Sequence, residues 1–326
     1  RELERLVSSG FPFSEAEAAR NAERLGRRAA GAAGGGAGWR REPKPQLGSL
    51  SRLDELATRY RASPTMRAWQ KGFGCAGGDT GEEGNFFSRV YARLFDHRVE
   101  ASSSPPGPSR FAPVRVLEVG VCDGSAVAMW SEYFEHPDSR IVAMDVSFLL
   151  FGGNRPYLVQ RGFDLSRLSA IIEANASDPA GGALLTANWS MGDRARRMAT
   201  AKALRLHGPF DFIRDDASHT PSDMIATFQW LFLAALRPGG VYAVEDVGTY
   251  SLGSRGSLDE SGEFSYFFRL ARDSLNFRYD AVTDRWMATS WIQSLRASPL
   301  EAWVDSVEFS RGLIVVRKRG EHSSPG

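Results

Sequence analysis

From Val114 onward the chain alternates short, almost continuous apolar runs with longer mixed stretches: "VRVLEVGV", "RIVAMDV", "SAIIEAN", "FDFIRDD" and "GGVYAVEDV". Each run has the length and the β-branched or aromatic content of a buried strand, and the stretches between them are long enough for helices. Strands and helices in alternation predict an α/β fold: an open, mostly parallel, doubly wound sheet with helices on both faces and ligands at the carboxyl ends of its strands. Near the end, "WVDSVEFSRGLIVVRKR" reads as two strands around a turn at Ser310–Gly312, an antiparallel C-terminal hairpin that closes one sheet edge.

Upstream the rhythm differs. "SRLDELATRYRAS" has the spacing of an amphipathic helix, and "EEGNFFSRVYARLFDHR" places Phe86, Val90, Tyr91, Leu94 and Phe95 along one helical face. The glycines of "KGFGCAGGDTGEEG" between them predict a surface loop able to cover a pocket. Residues 1–27 look helical, and "AAGAAGGGAGWRREPKPQ" is too rich in Gly and Ala to hold a core and reads as a linker. The predicted organisation is a helical appendage with its linker over residues 1–50 and a helical cap over 51–110, ending at the Pro/Ser-rich "ASSSPPGPS". A ligand-binding domain over 111–320 and a disordered tail over 321–326 follow.

Bulk properties narrow the partners. The 326 residues suffice for one large α/β domain with an appendage, or for two modest domains, and 40 basic against 39 acidic residues give a net charge of +1. That balance argues against an electrostatic grip on nucleic acid or an acidic membrane and favours small-molecule or protein partners. No run approaches the roughly 18 apolar residues of a spanning helix. Cys75 and Cys122 have neither metal-site spacing nor the density of a disulfide scaffold, which fits a reducing compartment. The expected location is cytoplasmic, with an organellar one left open because the chain starts at Arg1 rather than Met; a homo-oligomer is compatible with the sequence.

The candidate chemistry lies at strand ends. Glu118, Gly120, Asp123 and Gly124 stand between the first strand and a helix starting near Ser125, where glycines let a nucleotide approach the backbone and the helix terminus adds donors. A plain tight turn is the alternative. Asp145 ends the next strand, 27 residues after Glu118, where a carboxylate can accept both ribose hydroxyls. The cleft is acidic and poor in basic residues, which suits a positively charged ligand without phosphates, such as the sulfonium S-adenosylmethionine, better than a pyrophosphate. Asp215, Asp216, Glu245 and Asp246 end two strands expected to be neighbours. Carboxylates gathered there repel unless a hard cation sits among them, and oxygen ligands select Mg²⁺ or Ca²⁺. The competing reading is a solvated acidic rim. His219, three residues beyond Asp216, is the candidate general base, because an imidazole titrates near the operating pH; the alternative is a helix-capping residue in "SHTPSD".

"LEVGVCDGSAVAMWSEYF", "ANASDP", "IRDDASHTPSDMIATFQWLF" and "LRPGGVYAVEDV", in this order, resemble the class I S-adenosylmethionine-dependent methyltransferases with their Rossmann-like sheet. Within that class they are similar to the metal-dependent macrolide-sugar O-methyltransferases of the mycinamicin and macrocin type, over roughly residues 70–318. The resemblance implies Asp216 as a metal ligand with Glu245 and Asp246 completing or supporting the site, Mg²⁺ or a similar ion as the metal, and His219 as the base. It implies that Glu118, Gly120 and Asp145 hold the methionine and ribose ends of the cofactor and that Asn175, Ala176 and Ser177 lie by the adenine. Asp123, Gly124 and Asp215 are assigned to the cofactor as well. Three departures stand out: "ANASD" replaces the family's usual Gly-Asp-Gln-Ser-Asp, Arg214 replaces an apolar residue and is placed to form a salt bridge, and "GGALLTANWSMGDRARRMATAKALRLHG" is longer than the family's spacer. The expected activity is O-methylation of a hydroxyl on a sugar or other polyol-bearing small molecule. A non-catalytic cofactor-binding protein and a nicotinamide-dependent oxidoreductase are the competing readings; Cys122 in place of a fingerprint glycine speaks against the second.

Overall fold

The computed structural model describes residues 51–61, 87–97, 107–177, 191–248, 262–274, 277–280, 285–288 and 299–320. The expected appendage and linker over 1–50, the glycine-rich loop over 71–84 and the tail over 321–326 lie outside the described residues. The chain divides into two compact units: residues 1–92, 122–133 and 147–164 form one, and residues 93–121, 134–146 and 165–326 the other.

Helix α1 (Arg52–Tyr60) belongs to the first unit and starts from a capping box. The Ser51 hydroxyl accepts the Asp54 N–H at 3.2 Å, and the Asp54 carboxylate accepts the Ser51 N–H at 3.0 Å, so two of the otherwise orphaned donors are satisfied. Helix α2 (Phe87–Phe95) begins in this unit and ends in the other. Helix α3 (Ser125–Tyr133) collects α1 through Glu132, which accepts from Arg52 at 2.5 Å, Arg59 at 2.6 Å and the Tyr60 hydroxyl at 2.7 Å. Burial and the bond to Glu132 push the Tyr60 phenol up to about 12. Trp130 is fully buried and meets the Tyr91 ring edge-on, with centroids 5.1 Å apart. Before α3, Asp123 is buried and its Oδ1 accepts the Ser125 N–H at 2.9 Å. Gly124 has φ +83°, and a Cβ there would lie 2.1 Å from the Phe151 ring on helix α4 (Leu149–Gln160), so only glycine fits. Cys122 is disulfide-bonded rather than a free thiol.

The second unit is built on the strands. β1 (Arg115–Val119), β2 (Arg140–Asp145), β3 (Leu168–Glu173), β4 (Phe210–Asp215) and β5 (Leu236–Glu245) run parallel. The hairpin β6 (Phe277–Asp280) and β7 (Arg285–Ala288) forms a separate two-stranded sheet. β8 (Val304–Ser310) and β9 (Leu313–Lys318) are antiparallel and complete a seven-stranded sheet of order β3-β2-β1-β4-β5-β9-β8. The expected mostly parallel sheet with a C-terminal antiparallel hairpin is therefore found. The order reverses direction between β1 and β4, the switch point at which open α/β sheets leave a crevice.

Helices α5 (Met191–His207), α6 (Pro221–Ala234) and α7 (Glu263–Ser274) follow β3, β4 and β5, and the short α8 (Pro299–Ala302) precedes β8. Phe228 of α6 is fully buried, with the rings of Phe232, Tyr242 and Phe267 centred 4.9, 5.1 and 4.8 Å away. Around it Leu117, Val119, Val142, Met144, Ile213 and Val244 alternate out of the sheet onto one face and form the core. The sequence predicts that Pro238–Gly240 end a helix sharply and turn the chain into a strand carrying Glu245 at its far end, and that strand is found. The helix instead ends at Ala234, and "RPGG" is an irregular start to β5, with Gly239 at φ +75° and the pairing slipping from Leu236 to Val241. Lys318 closes the open helix end, its Nζ donating to the carbonyls of Phe232, Leu233 and Leu236 at 2.8, 3.1 and 2.7 Å.

Candidate functional site

The site is made by the alternation of side chains along β1, β4 and β5. Glu118 stands opposite Arg214, and Arg214 opposite Ala243, so Glu118, Arg214 and, two residues beyond Ala243, Glu245 project from one face. The other face carries Val119, Asp215 and Val244. Beyond the strand ends the chains of β1 and β4 come together. The Asp216 N–H donates to the Val119 carbonyl at 2.8 Å, and a Cβ on Gly120, whose φ is +85°, would lie 2.2 Å from the Asp216 carbonyl oxygen. Glycine at 120 is thus required by the close approach of the β4 backbone as well as by its own conformation.

Past this crossing Asp216, His219 and Asp246 gather, each offering one ligand atom, all within 4.8 Å of one another. His219 Nε2 is 3.9 Å from Asp216 Oδ1 and 3.9 Å from Asp246 Oδ2. The three side chains are about a quarter exposed, at 23%, 27% and 22%, so a ligand can reach them. His219 and Asp246 are held at φ +55° and +54°, left-handed conformations that non-glycine residues adopt at a cost. Burial lowers the pKa of His219, with Arg214 acting in the same direction and the carboxylates of Asp246 and Glu245 opposing. The imidazole is therefore neutral at neutral pH and able to accept a proton. Burial raises the Asp246 pKa, and His219 opposes that rise.

Glu245, expected among the metal ligands, is drawn elsewhere. Its oxygens accept from Arg214 Nε and Nη2, both at 2.6 Å, and the pair is buried at 1% exposure on either side. Arg214 Nη1 donates to Glu118 Oε1, and Nη2 lies 2.9 Å from Asp216 Oδ2. The salt bridge expected of Arg214 is thus a four-residue network. Glu118, expected to face the cofactor, is fully buried within it. Burial works against the charge on Arg214, but Asp216, Glu118 and Glu245 outweigh it and hold the guanidinium ionised.

Asp215 is also not where a cofactor contact is expected. It is 2% exposed on the core side, where the Tyr242 hydroxyl donates to Oδ2 at 3.1 Å. Burial pushes its carboxyl up to about 7 against the opposing bonds from Tyr242 and the Ala217 N–H. The period of two that directs Arg214 to Glu118 directs Asp215 the other way.

Of the other expected cofactor residues, Asp145 sits beside the β1 turn, its Oδ2 accepting the Val121 N–H at 2.6 Å. Asn175 folds onto its own segment, Oδ1 accepting from the Ser177 N–H at 3.0 Å and hydroxyl at 2.8 Å. The Ala176 carbonyl accepts the Trp230 indole N–H at 2.8 Å, tying this segment to α6. Sequence reasoning passed over Trp230, because an indole at a helical spacing reads as core. Asp123 and Gly124 lie in the first unit, where Asp123 orders the turn before α3.

No family model matches the chain. Over 147 residues it is 32% identical to the 8-demethyl-8-(2-methoxy-alpha-L-rhamnosyl)-tetracenomycin-C 3'-O-methyltransferase of Streptomyces olivaceus, covering 43% of this chain and 29% of that one. A second Streptomyces olivaceus protein, 8-demethyl-8-alpha-L-rhamnosyl tetracenomycin-C 2'-O-methyltransferase, is 27% identical over 233 residues, 67% of this chain and 49% of that one. The chain thus spans half or less of the length of these relatives. Among solved structures it is similar to the MycE methyltransferase of the mycinamycin biosynthetic pathway in complex with Mg, SAH and mycinamycin VI. There the TM-score is 0.51 at 20% identity, over 85% of this chain and 57% of that one. The resemblance to sugar O-methyltransferases stated from the motifs is borne out in sequence, and the methyltransferase fold in structure.

Proposed function

We propose that this chain is an S-adenosylmethionine-dependent O-methyltransferase acting on a hydroxyl of a sugar or other polyol-bearing small molecule. The observation that carries this reading is the crossing of Gly120 and Asp216. It brings the β1 turn, with Asp145 beside it, against the cluster of Asp216, His219 and Asp246 at the switch point of the sheet. The similarity to enzymes named for methylating rhamnosyl groups supports the same acceptor class.

Bound S-adenosylmethionine supplies an electrophilic methyl group on a sulfonium. A divalent cation, when bound, lowers the pKa of an acceptor hydroxyl and aligns it. The donor set fits a cation: two partly exposed carboxylates and an imidazole converge, and Asp216 and Asp246 would hold the ion. Asp145, beside the β1 turn, would hold the ribose, and the segment Asn175–Ser177, tied to α6 by Trp230, would border the adenine. His219, kept neutral by burial, takes the acceptor's proton at Nε2. Asp246 then stabilises the imidazolium that forms.

Calorimetry with S-adenosylhomocysteine and transfer of a labelled methyl group to a rhamnosyl glycoside test the reading. Asp145→Ala should weaken cofactor binding by about 1–3 kcal/mol, and His219→Ala should keep cofactor affinity while losing roughly 10²–10⁴ in rate. Binding of NADH without S-adenosylhomocysteine would replace the reading with the oxidoreductase. One observation favours a binding protein without turnover: Arg214 occupies Glu118 and Glu245. Cofactor binding without methyl transfer to any glycoside would establish that alternative.

A further inference from the structure

Arg214 has no part in the chemistry above, yet it is a buried charge, at 1% exposure among Glu118, Glu245 and Asp216. A guanidinium and three carboxylates leave an excess of negative charge at the strand ends, which favours one more cation. The guanidinium also decides which carboxylates can receive it. The Nε and Nη2 fork engages both oxygens of Glu245, and Nη1 engages Glu118. Asp216 is different. Its Oδ2 is 2.9 Å from Arg214, while Oδ1 is the oxygen nearest His219, and its side chain is 23% exposed where that of Glu245 is 1% exposed. Asp216 therefore bridges the internal cation and the open cluster, and Glu245 serves the internal cation.

We propose that Arg214 is a resident cation that withdraws Glu245 from the divalent-ion site and lowers the affinity of that site. The ion is then held by Asp216 and Asp246 beside His219. This rests on the reading of the cluster as a cation site. Two effects act together. Freeing Glu245 for an external ion would leave a buried guanidinium short of its bidentate partner, an expensive state. The positive charge of Arg214, one hydrogen bond from Asp216, also repels any cation that Asp216 binds.

The test titrates Mn²⁺ alone into the full chain, followed by the paramagnetic resonance of the free ion, with S-adenosylhomocysteine binding measured in parallel as a check on folding. Asp216→Asn and Asp246→Asn should lower Mn²⁺ affinity by about tenfold or more, the scale on which lost metal-site groups act. Glu245→Gln, which can still accept a hydrogen bond from Arg214, should change it by less than about threefold. Arg214→Met should raise it by about tenfold or more. Should that variant fail to fold, Glu245→Gln against Asp216→Asn decides alone. Equal losses in those two would overturn the proposal and leave the cation site standing. A chain that binds S-adenosylhomocysteine but takes up no Mn²⁺, with or without Arg214, would overturn both the proposal and the cation's place in the proposed function.

Discussion

Asp215 offers a direct measurement of what burial does to a carboxylate in this sheet. It is 2% exposed beneath Tyr242, and its pKa is raised from 3.8 to about 7. Below pH 4 the group is protonated in folded and unfolded chains alike and costs nothing. Between pH 4 and 7 the unfolded chain ionises while the folded one does not, so stability falls; above 7 both are ionised and the penalty is constant. At about 1.36 kcal/mol per pH unit the full penalty is on the order of 4 kcal/mol. Asp215→Asn keeps the shape and still accepts from Tyr242, but it cannot ionise. Urea denaturation of both proteins in chelator, at pH 5 and pH 8, isolates the group, because titrations elsewhere cancel in the difference. The stability of the variant relative to wild type should rise by about 3 kcal/mol between those two pH values. Affinity for S-adenosylhomocysteine should be unchanged, since Asp215 projects from the face opposite Glu118. Parallel stability profiles would refute the burial argument, and loss of cofactor affinity would return Asp215 to the ligand site.

Two further outcomes follow from single side chains. Trp230→Phe removes the indole bond to the Ala176 carbonyl and should cost about 1 kcal/mol of S-adenosylhomocysteine affinity by calorimetry, with little change in urea stability. Lys318→Met removes two bonds to the end of α6 and one to the first residue of β5 and should lower the unfolding free energy in urea by roughly 2–3 kcal/mol, leaving cofactor affinity intact.

The strands of the seven-stranded sheet were legible because each apolar run had to be buried, and buried runs of that length in alternation with helices admit few arrangements; the hairpin β6–β7 was not foreseen. β2, β4 and the closing hairpin fall where the pattern puts them. The start of β5 was not legible. Pro and Gly in "RPGG" signal a break in any regular element, and only the pairing with β4 shows that an irregular strand start, not a helix end, uses them. Trp230 escaped for a related reason: its partner is a backbone carbonyl 54 positions away, and composition carries no trace of such a bond.

The acidic strand ends show where reading by position stops and reading by face begins. Asp215 and Asp216 look alike as neighbours in "RDD", but a strand sends successive side chains to opposite faces until it ends. Asp215, the last residue of β4, is committed to the core beneath Tyr242; Asp216, the first beyond it, is free of the alternation and joins His219 and Asp246. Glu245 and Asp246 repeat the division at the end of β5, Glu245 on the sheet against Arg214 and Asp246 past it in a left-handed turn. In both pairs the strand residue is spent on structure and the residue after it is available for chemistry. The arginine one place before Asp215 decides the rest, because its side chain runs along the same face as Glu118 and Glu245 and meets both before any ligand can. The cleft is acidic by sequence, but its sheet face is partly neutralised by a charge of its own. What remains open to a cation is the ring of residues just beyond the strands.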